Sequence, residues 1–401
     1  MEKFSLNNHQ VSIGMKVGLI GVGRCGLPIA LNFEQRGLQV IASSYKREYI
    51  ENLQNKITNT TEPYVKELLH DSKIDFTTDN QRVIEECDII YILVATPSLP
   101  SGDYDMQAID DVMEDFKKYK GSLKNKVCVI ASTTNPGYCE TVSKSMKHIG
   151  LDVAYCPIFI AQGSVYKDFD SSQHRTPIMI GTDNENAFIK AKALFIALNK
   201  PEERIFKMGF TASEILKMTY NCFYTIKVSF VNQIGQLLYR SGGWKDKETF
   251  YEIIRMNDVI GAKASNFGFG YGGPCLPRDN KSLVKFAKKV GVDYNIGDVV
   301  DDLNNKHLTF LHELYSNQNQ DKLPYYFSYI SYKQGTDLDE PAQQHDLAKL
   351  FMEDGITVYV SPSHFLNKKI AQNLTDQFGD LFQIKSDADL KKENIDYFQI
   401  N

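Results

Sequence analysis

No run of apolar residues in this sequence approaches the ~20 needed to cross a bilayer as a helix; IIYILVA at 89–95 is among the longest. Residues 1–15 (MEKFSLNNHQVSIGM) lack the apolar segment of a secretory signal and read as a polar leader before the first strand. Charge of one sign is also missing. The net charge is −5, with acids and bases interspersed. That excludes the basic face of a nucleic-acid binder and the polybasic patch of a membrane-surface protein. The 7 cysteines, at 25, 87, 128, 139, 156, 222 and 275, are odd in number and form no C-x-x-C. The pattern argues against a disulfide framework or a zinc site and for a reducing cytoplasm. No internal repeat or low-complexity tract interrupts the chain.

What is present is an alternation of strand and helix. KVGLI (16–20) is a short β-branched run, GVGRCG follows, then the helical LPIALNFEQRG and a second strand, LQVIAS. Further strands are expected at CDIIYILVA (87–95), KVCVIAS (126–132), DVAYCP (152–157) and PIMIG (177–181). This alternation predicts an α/β fold with a parallel, doubly wound sheet. At about 150 residues per domain, 401 residues suggest two or three domains. The first is expected over 16–200. Residues 211–240 carry apolar positions at helical spacing and no Gly or Pro before Gly235, which predicts one long helix. Residues 279–316 read as helical, with breaks at Gly291 and Gly297. From 317 a second Rossmann-like βαβ unit begins, with strands at 323–331 and 356–362 and a helix near 341–353. The expected architecture is two Rossmann-like doubly wound domains (16–200 and 317–401) joined by a central helical region (201–316).

Two stretches carry chemistry. Gly21, Gly23 and Gly26 fit G-x-G-x-x-G between a strand and a helix, with Arg24 and Cys25 in the same turn. The first glycine permits the tight turn, the second lets backbone approach a pyrophosphate, and the third lets the helix pack closely. An acid normally closes the second strand and binds the ribose hydroxyls. Here Ser44 stands there, followed by Lys46 and Arg47, a set that admits a 2′-phosphate and hence NADP. The plain alternative is a solvated helix start. The second stretch is GFGYGGPCLPRD, 268–279. Glycines give a flexible approach, prolines stiffen the surroundings of Cys275, and a thiol so placed can attack an aldehyde. Lys217 and Asn221 are four apart, so they share one helix face. Lys217 lies between Leu216 and Met218 on an otherwise apolar helix, a setting that fits a buried functional lysine about as well as a solvated helix charge.

GFGYGGPCLPRD resembles the cysteine signature G-x-G-x-G-G-x-C-x-P-K-D of the UDP-glucose/GDP-mannose dehydrogenases, with Arg278 in place of Lys. GVGRCGLP, VATPSLPSGDYD (94–105), STTNPG (132–137), ASEILKMTYNCFYTIKVSFVNQ (212–233) and YISYKQGTD (329–337) resemble further segments of that family in order, over about 16–362. The SNFGFGYGG loop and the short chain are most similar to compact bacterial UDP-glucose 6-dehydrogenases. The resemblance implies a cytoplasmic homodimer built on the central helix, supplying capsule or surface polysaccharide. It implies an NAD-dependent, two-step oxidation of a sugar C6 alcohol to a carboxylate, with UDP-glucose as the leading substrate and a UDP-amino sugar or GDP-mannose open.

By the same resemblance Cys275 is the nucleophile, Lys217 and Asn221 hold the oxyanion, and Asp279 and Thr133 position or deprotonate a water. The cofactor lies on Gly21, Gly23, Arg24, Cys25, Gly26, Ser44, Lys46, Thr96 and Thr133. Substrate contacts fall to Phe159, Ile160, Gln162, Lys217, Asn221, Phe267, Gly268, Tyr271, Gly272 and Lys333. The site is expected where the carboxyl ends of the first sheet face the Cys275 loop. The chain departs from the family pattern at Ile158 and Gln162, which replace two glutamates, and at Val259 and Asp339, which stand where arginines are expected. Two readings stay open: a working dehydrogenase with altered cofactor or substrate preference, and a non-catalytic relative that binds cofactor or nucleotide-sugar in a regulatory role. Between them lies an enzyme that stops at the aldehyde.

Overall fold

The computed structural model describes residues 15–169, 177–293, 295–334, 336, 341–362 and 368–400. Most of the polar leader and Asp339 therefore lie outside the described residues. The chain forms two compact units, Met1–Lys217 and Met218–Asn401.

The first unit alternates strand and helix: β1 (Lys16–Ile20), α1 (Gly26–Gln35), β2 (Gln39–Ser43), α2 (Arg47–Gln54), α3 (Val65–Asp71), β3 (Asp75–Thr77), α4 (Asn80–Glu86), β4 (Ile89–Ile92), α5 (Gln107–Lys118), β5 (Val127–Ile130), α6 (Tyr138–Lys147), β6 (Asp152–Tyr155), α7 (Val165–Phe169), β7 (Ile178–Gly181), α8 (Glu185–Ala197) and β8 (Ile205–Met208). One sheet runs in the order β3-β2-β1-β4-β5-β6-β7-β8. The strands β4 and β5 are buried throughout, as central strands covered on both faces must be. Every neighbouring pair is parallel except β6 and β7, which meet antiparallel at Tyr155 and Gly181. The expected all-parallel sheet is thus corrected at its far edge. The strands β3 and β8 escape a hydrophobic-pattern reading because they are edge strands: Lys207 and Phe206 are exposed, and β3 buries only Phe76.

Helix α9 (Phe210–Arg240) is one continuous 31-residue element, as its spacing predicts. Its start is tied to the sheet by Glu214, which is fully buried. The carboxylate accepts from Thr134 Oγ1 (2.9 Å), Gly137 N (2.6 Å) and Cys139 N (2.9 Å). Burial pushes this carboxyl group up, against the pull of those donors.

The second unit adds α10 (Lys247–Met256), α11 (Leu276–Lys289), α12 (Ile296–Gln318), β9 (Tyr325–Phe327), α13 (Gln343–Glu353), β10 (Val358–Val360), α14 (Lys368–Phe378), β11 (Phe382–Ile384), α15 (Asp387–Lys392) and β12 (Phe398–Ile400). Its sheet is parallel, in the order β11-β10-β9-β12, a half-Rossmann arrangement. The break expected at Gly291 is real: that residue has φ +83° just past α11. Gly297 is no break. It sits in the first turn of α12, capped by the Asn295 side chain. A Cβ there would lie 2.5 Å from Val284, so this glycine lets α12 close on α11.

Candidate active site

The glycine turn after β1 is shaped by contacts that leave no room for side chains. Gly21 has φ +105°, and a Cβ on it would stand 2.2 Å from the Leu93 carbonyl oxygen. A Cβ on Gly26 would stand 2.2 Å from the carbonyl oxygen of Gly21. At Gly23 a Cβ would meet nothing within 4 Å, so this backbone faces open space at the mouth of α1. That is the cradle a pyrophosphate needs, and the turn fits a dinucleotide. The strand order places β1 beside β4, the topological switch point of this sheet. Beyond the ends of β4 and β5, Thr96 Oγ1 donates to the Thr133 carbonyl (2.9 Å), and Ser132 Oγ both donates to Val94 O and accepts from Val94 N. Two loops at adjacent strand ends are thereby locked together.

The segment after β6 carries Ile158, Phe159, Ile160 and Gln162. Lys217 is 8% exposed, and its ammonium group donates to the Ile158 carbonyl at 2.9 Å. The same ammonium stands 4.7 Å from the centre of the Phe159 ring. A carbonyl and an aromatic face fix the cation's position without neutralising it. Gln162 Oε1 accepts a long bond from Arg24 (3.4 Å), which brings the segment to the glycine turn. Glu62, 5% exposed, clamps the segment through Gly163 N (2.6 Å) and Val165 N (3.1 Å). Replacing Glu62 with Ala orphans the buried Val165 N–H and the half-buried Gly163 N–H. At about 1–3 kcal/mol for an unsatisfied group, calorimetry is expected to show a loss of about 3 kcal/mol, or roughly 5–10 °C in Tm. Glu62→Gln keeps one acceptor and is expected to lose less than half of that.

In the second unit Cys275, half-buried, occupies the N-cap of α11, with a proline in the first turn. One turn on, Asp279 is 1% exposed and its N–H bonds to the Cys275 carbonyl (2.9 Å). Its carboxylate accepts from Asn221 Nδ2 (2.7 Å) and from Arg278 Nε (3.3 Å). Asn221, Asp279 and the Cys275 turn, expected to act together, are therefore brought together within this unit.

The glycine loop before Cys275 is held by side chains that a local reading of the sequence misses. Asn232 Oδ1 accepts from Gly268 N (3.0 Å), Gln343 Oε1 from Gly270 N (2.6 Å), and Asn304 Oδ1 from Tyr271 N (2.9 Å). A Cβ on Gly270 would stand 2.1 Å from Asn304, and one on Gly272 2.5 Å from the Pro341 carbonyl. These two glycines admit neighbouring protein rather than a ligand. Gly268, with nothing within 4 Å of its Cβ position, is open. Tyr271 is 5% exposed and donates its phenol to Asp301; Phe267 packs edge-on against Trp244 and His307. Lys333 follows β9, its carbonyl accepting from Ser331 and Thr336. Val259, where a cation was expected, is 94% exposed.

His307 donates from Nε2 to the Gly268 carbonyl (2.7 Å) and accepts at Nδ1 from Gln236 (3.0 Å), which defines the neutral imidazole. Burial pushes its pKa down from 6.5 to about 4. Below pH 6.5 the unfolded chain takes up a proton that the native site refuses, so stability is whole above 6.5 and falls as pH drops towards 4. The loss amounts to about 3 kcal/mol at 1.36 kcal/mol per unit. Urea midpoints are expected to fall across that window, and to fall less in His307→Gln.

Among the described residues no group of His, Cys, Asp and Glu is placed to hold a metal, and no helix is long and apolar enough to cross a membrane. Compared with known proteins, residues 15–199 match the NAD binding domain, and residues 211–306 the central domain, of the UDP-glucose/GDP-mannose dehydrogenase family. The chain is 26% identical over 308 residues to the UDP-glucose 6-dehydrogenase YwqF of Bacillus subtilis, covering 74% of this chain and 67% of that protein. To the TuaD enzyme of the same organism it is 27% identical over 301 residues, 73% and 63% of the two chains. To the UDP-glucose 6-dehydrogenase of Pseudomonas aeruginosa it is 26% identical over 362 residues, 86% and 78%. In fold it is similar to a UDP-glucose dehydrogenase from Pyrobaculum islandicum, with TM-score 0.80 and 22% identity over 98% of this chain and 90% of that one. The glycine cradle at the switch point, the thiol–carboxylate helix and both domain matches lead to one assignment: the chain belongs to the UDP-glucose/GDP-mannose dehydrogenase family, and its cofactor is NAD.

Proposed function

We propose that the chain oxidises the C6 alcohol of a nucleotide-sugar to a carboxylate, with UDP-glucose as substrate and UDP-glucuronate as product. The observation that carries this reading is the α11 turn: a half-buried thiol at 275, and one turn later a buried carboxylate at 279 bonded to Asn221. The bound dinucleotide supplies the electron acceptor for both oxidations. The protein supplies the rest. The Cys275 sulfur adds to the C6 aldehyde made in the first oxidation, and the thiol proton leaves to water. The resulting hemithioacetal carbon is oxidised to a thioester, and water then cleaves the C–S bond, returning the thiol and releasing the acid. Lys217, held by the Ile158 carbonyl over the Phe159 ring, gives a fixed positive charge to each developing oxyanion. Asn221 keeps Asp279 oriented, and Asp279 takes the proton from the hydrolytic water. Ile158 and Gln162 have no carboxyl group, so this task falls to Asp279.

Phosphates and sugar are assigned to the open backbone at Gly268 and to Lys333. The test is reduced-cofactor yield with a panel of UDP- and GDP-sugars. Two equivalents per UDP-glucose support the reading. One equivalent supports an enzyme that stops at the aldehyde, and none with any sugar supports the binding-protein alternative.

We also propose that the chain works in the cytoplasm as a homodimer through α9, as a supplier of surface-polysaccharide precursor. Tyr220, Phe223, Phe230 and Leu237 are 43–66% exposed and fall at heptad spacing along one face. Light scattering is expected to give about twice the 45.6 kDa chain mass, and Phe223→Glu to bring the particle to one chain.

A further inference from the structure

We propose that the ribose end of the dinucleotide site accepts a 2′-phosphate, so that the chain binds NADP(H) as well as NAD(H). The proposal rests on residues 21–26 being the dinucleotide turn and deepens that assignment. The N–H groups of Gly21 and Val22 both donate to the Ser43 carbonyl, at 2.9 Å each, so the end of β2 lies against the phosphate turn. A carboxylate at this strand end would accept from the ribose hydroxyls and repel a 2′-phosphate. None is there. Ser43 is fully buried and its hydroxyl donates to Asn80 Oδ1 at 2.6 Å. Ser44 is the half-buried residue that follows, and its hydroxyl accepts only a long bond from Lys46 N (3.4 Å).

Two exposed cations come next. The Arg47 guanidinium has no ion pair among the described residues, and the Lys46 ammonium is near only the Tyr45 ring, at 5.7 Å. Among the described residues neither charge is spent on an ion pair. The neighbouring corner is set by Ser44 N donating to the Thr77 carbonyl. Its acid, Asp79, already accepts from Gln81 N (2.8 Å) as the cap of α4. Glu48 is the only acid in the first turn of α2. A phosphate dianion would therefore meet a hydroxyl and two uncommitted cations, and no carboxylate takes the place of Ser44.

The experiment is calorimetric titration of the full chain with adenosine 2′,5′-bisphosphate and with 5′-AMP, alongside fluorescence titration with NADPH and NADH. The bisphosphate is expected to bind roughly tenfold or more tightly than 5′-AMP, by a margin that shrinks as salt is raised. The pair Lys46→Ala and Arg47→Ala is expected to abolish the margin. Ser44→Asp is expected to reverse it, since a carboxylate there accepts from the ribose hydroxyls and repels a 2′-phosphate. Binding of NADH with no binding of NADPH, or equal affinity for adenosine 2′,5′-bisphosphate and 5′-AMP, would overturn the proposal and make residues 46–48 a solvated helix start. Failure to bind either dinucleotide would overturn the dinucleotide assignment along with it.

Discussion

Cys275→Ala is expected to lose the carboxylate product, with the rate of UDP-glucuronate formation falling by roughly 1000-fold or more, the scale of removing a covalent nucleophile. Alanine removes only the sulfur. The N-cap backbone of α11 and the Asp279–Asn221 bond do not depend on it. Binding of NADH, which the first unit provides through its glycine turn, is expected to stay within a factor of about two by fluorescence titration, since the change touches none of that turn. The combination matters. A fall in product with intact dinucleotide binding locates the effect in the covalent step, whereas parallel loss of both reports general damage. Product formation at the wild-type rate would remove the sulfur from the mechanism.

Lys217→Ala is expected to lower kcat by about 100- to 1000-fold, or about 3–4 kcal/mol of transition-state stabilisation, the cost of removing one preorganised oxyanion donor. The Ile158 carbonyl and the Phe159 face, both neutral, fix the ammonium in place. Lys217→Arg is expected to recover little. The planar guanidinium does not reproduce a compact ammonium in a site where the lysine is 8% exposed. Steady-state kinetics on UDP-glucose check both variants, with the loss expected in kcat rather than in KM. A loss confined to KM would make Lys217 a binding residue only.

Much of this was legible in the chain because it is local. The strands β1, β2, β4, β5, β6 and β7 are continuous apolar runs, and the Gly21, Gly23 and Gly26 turn lies between a strand and a helix. Helix α9 shows in its spacing, and Cys275 with Asp279 shows in a single twelve-residue string. What was not legible is long-range. Glu62 binds a segment about 100 residues away, and Glu214 binds a loop about 75 residues before it. Asn232, Asn304 and Gln343 reach the Gly268–Tyr271 backbone from three different helices. No periodicity or motif spacing encodes such partners, because each is one polar side chain whose role is fixed only by tertiary packing. The reversed direction of β7 is hidden for the same reason: an apolar run reads alike in either direction. The glycines before Cys275 were legible as special but not in their purpose. Sequence suggested ligand approach, whereas Gly270 and Gly272 yield their space to Asn304 and Pro341.

The departures at Ile158 and Gln162 leave Asp279 as the carboxylate assigned to thioester hydrolysis, so removing it should stall the reaction on the sulfur. Asp279→Asn, mixed with UDP-glucose and NAD, quenched in acid and digested, is the direct measurement. The account predicts a UDP-linked acyl adduct in mass spectra of the peptide containing Cys275, formed with two equivalents of reduced cofactor per labelled chain. Steady release of UDP-glucuronate by this variant with an unmodified Cys275 peptide would contradict it.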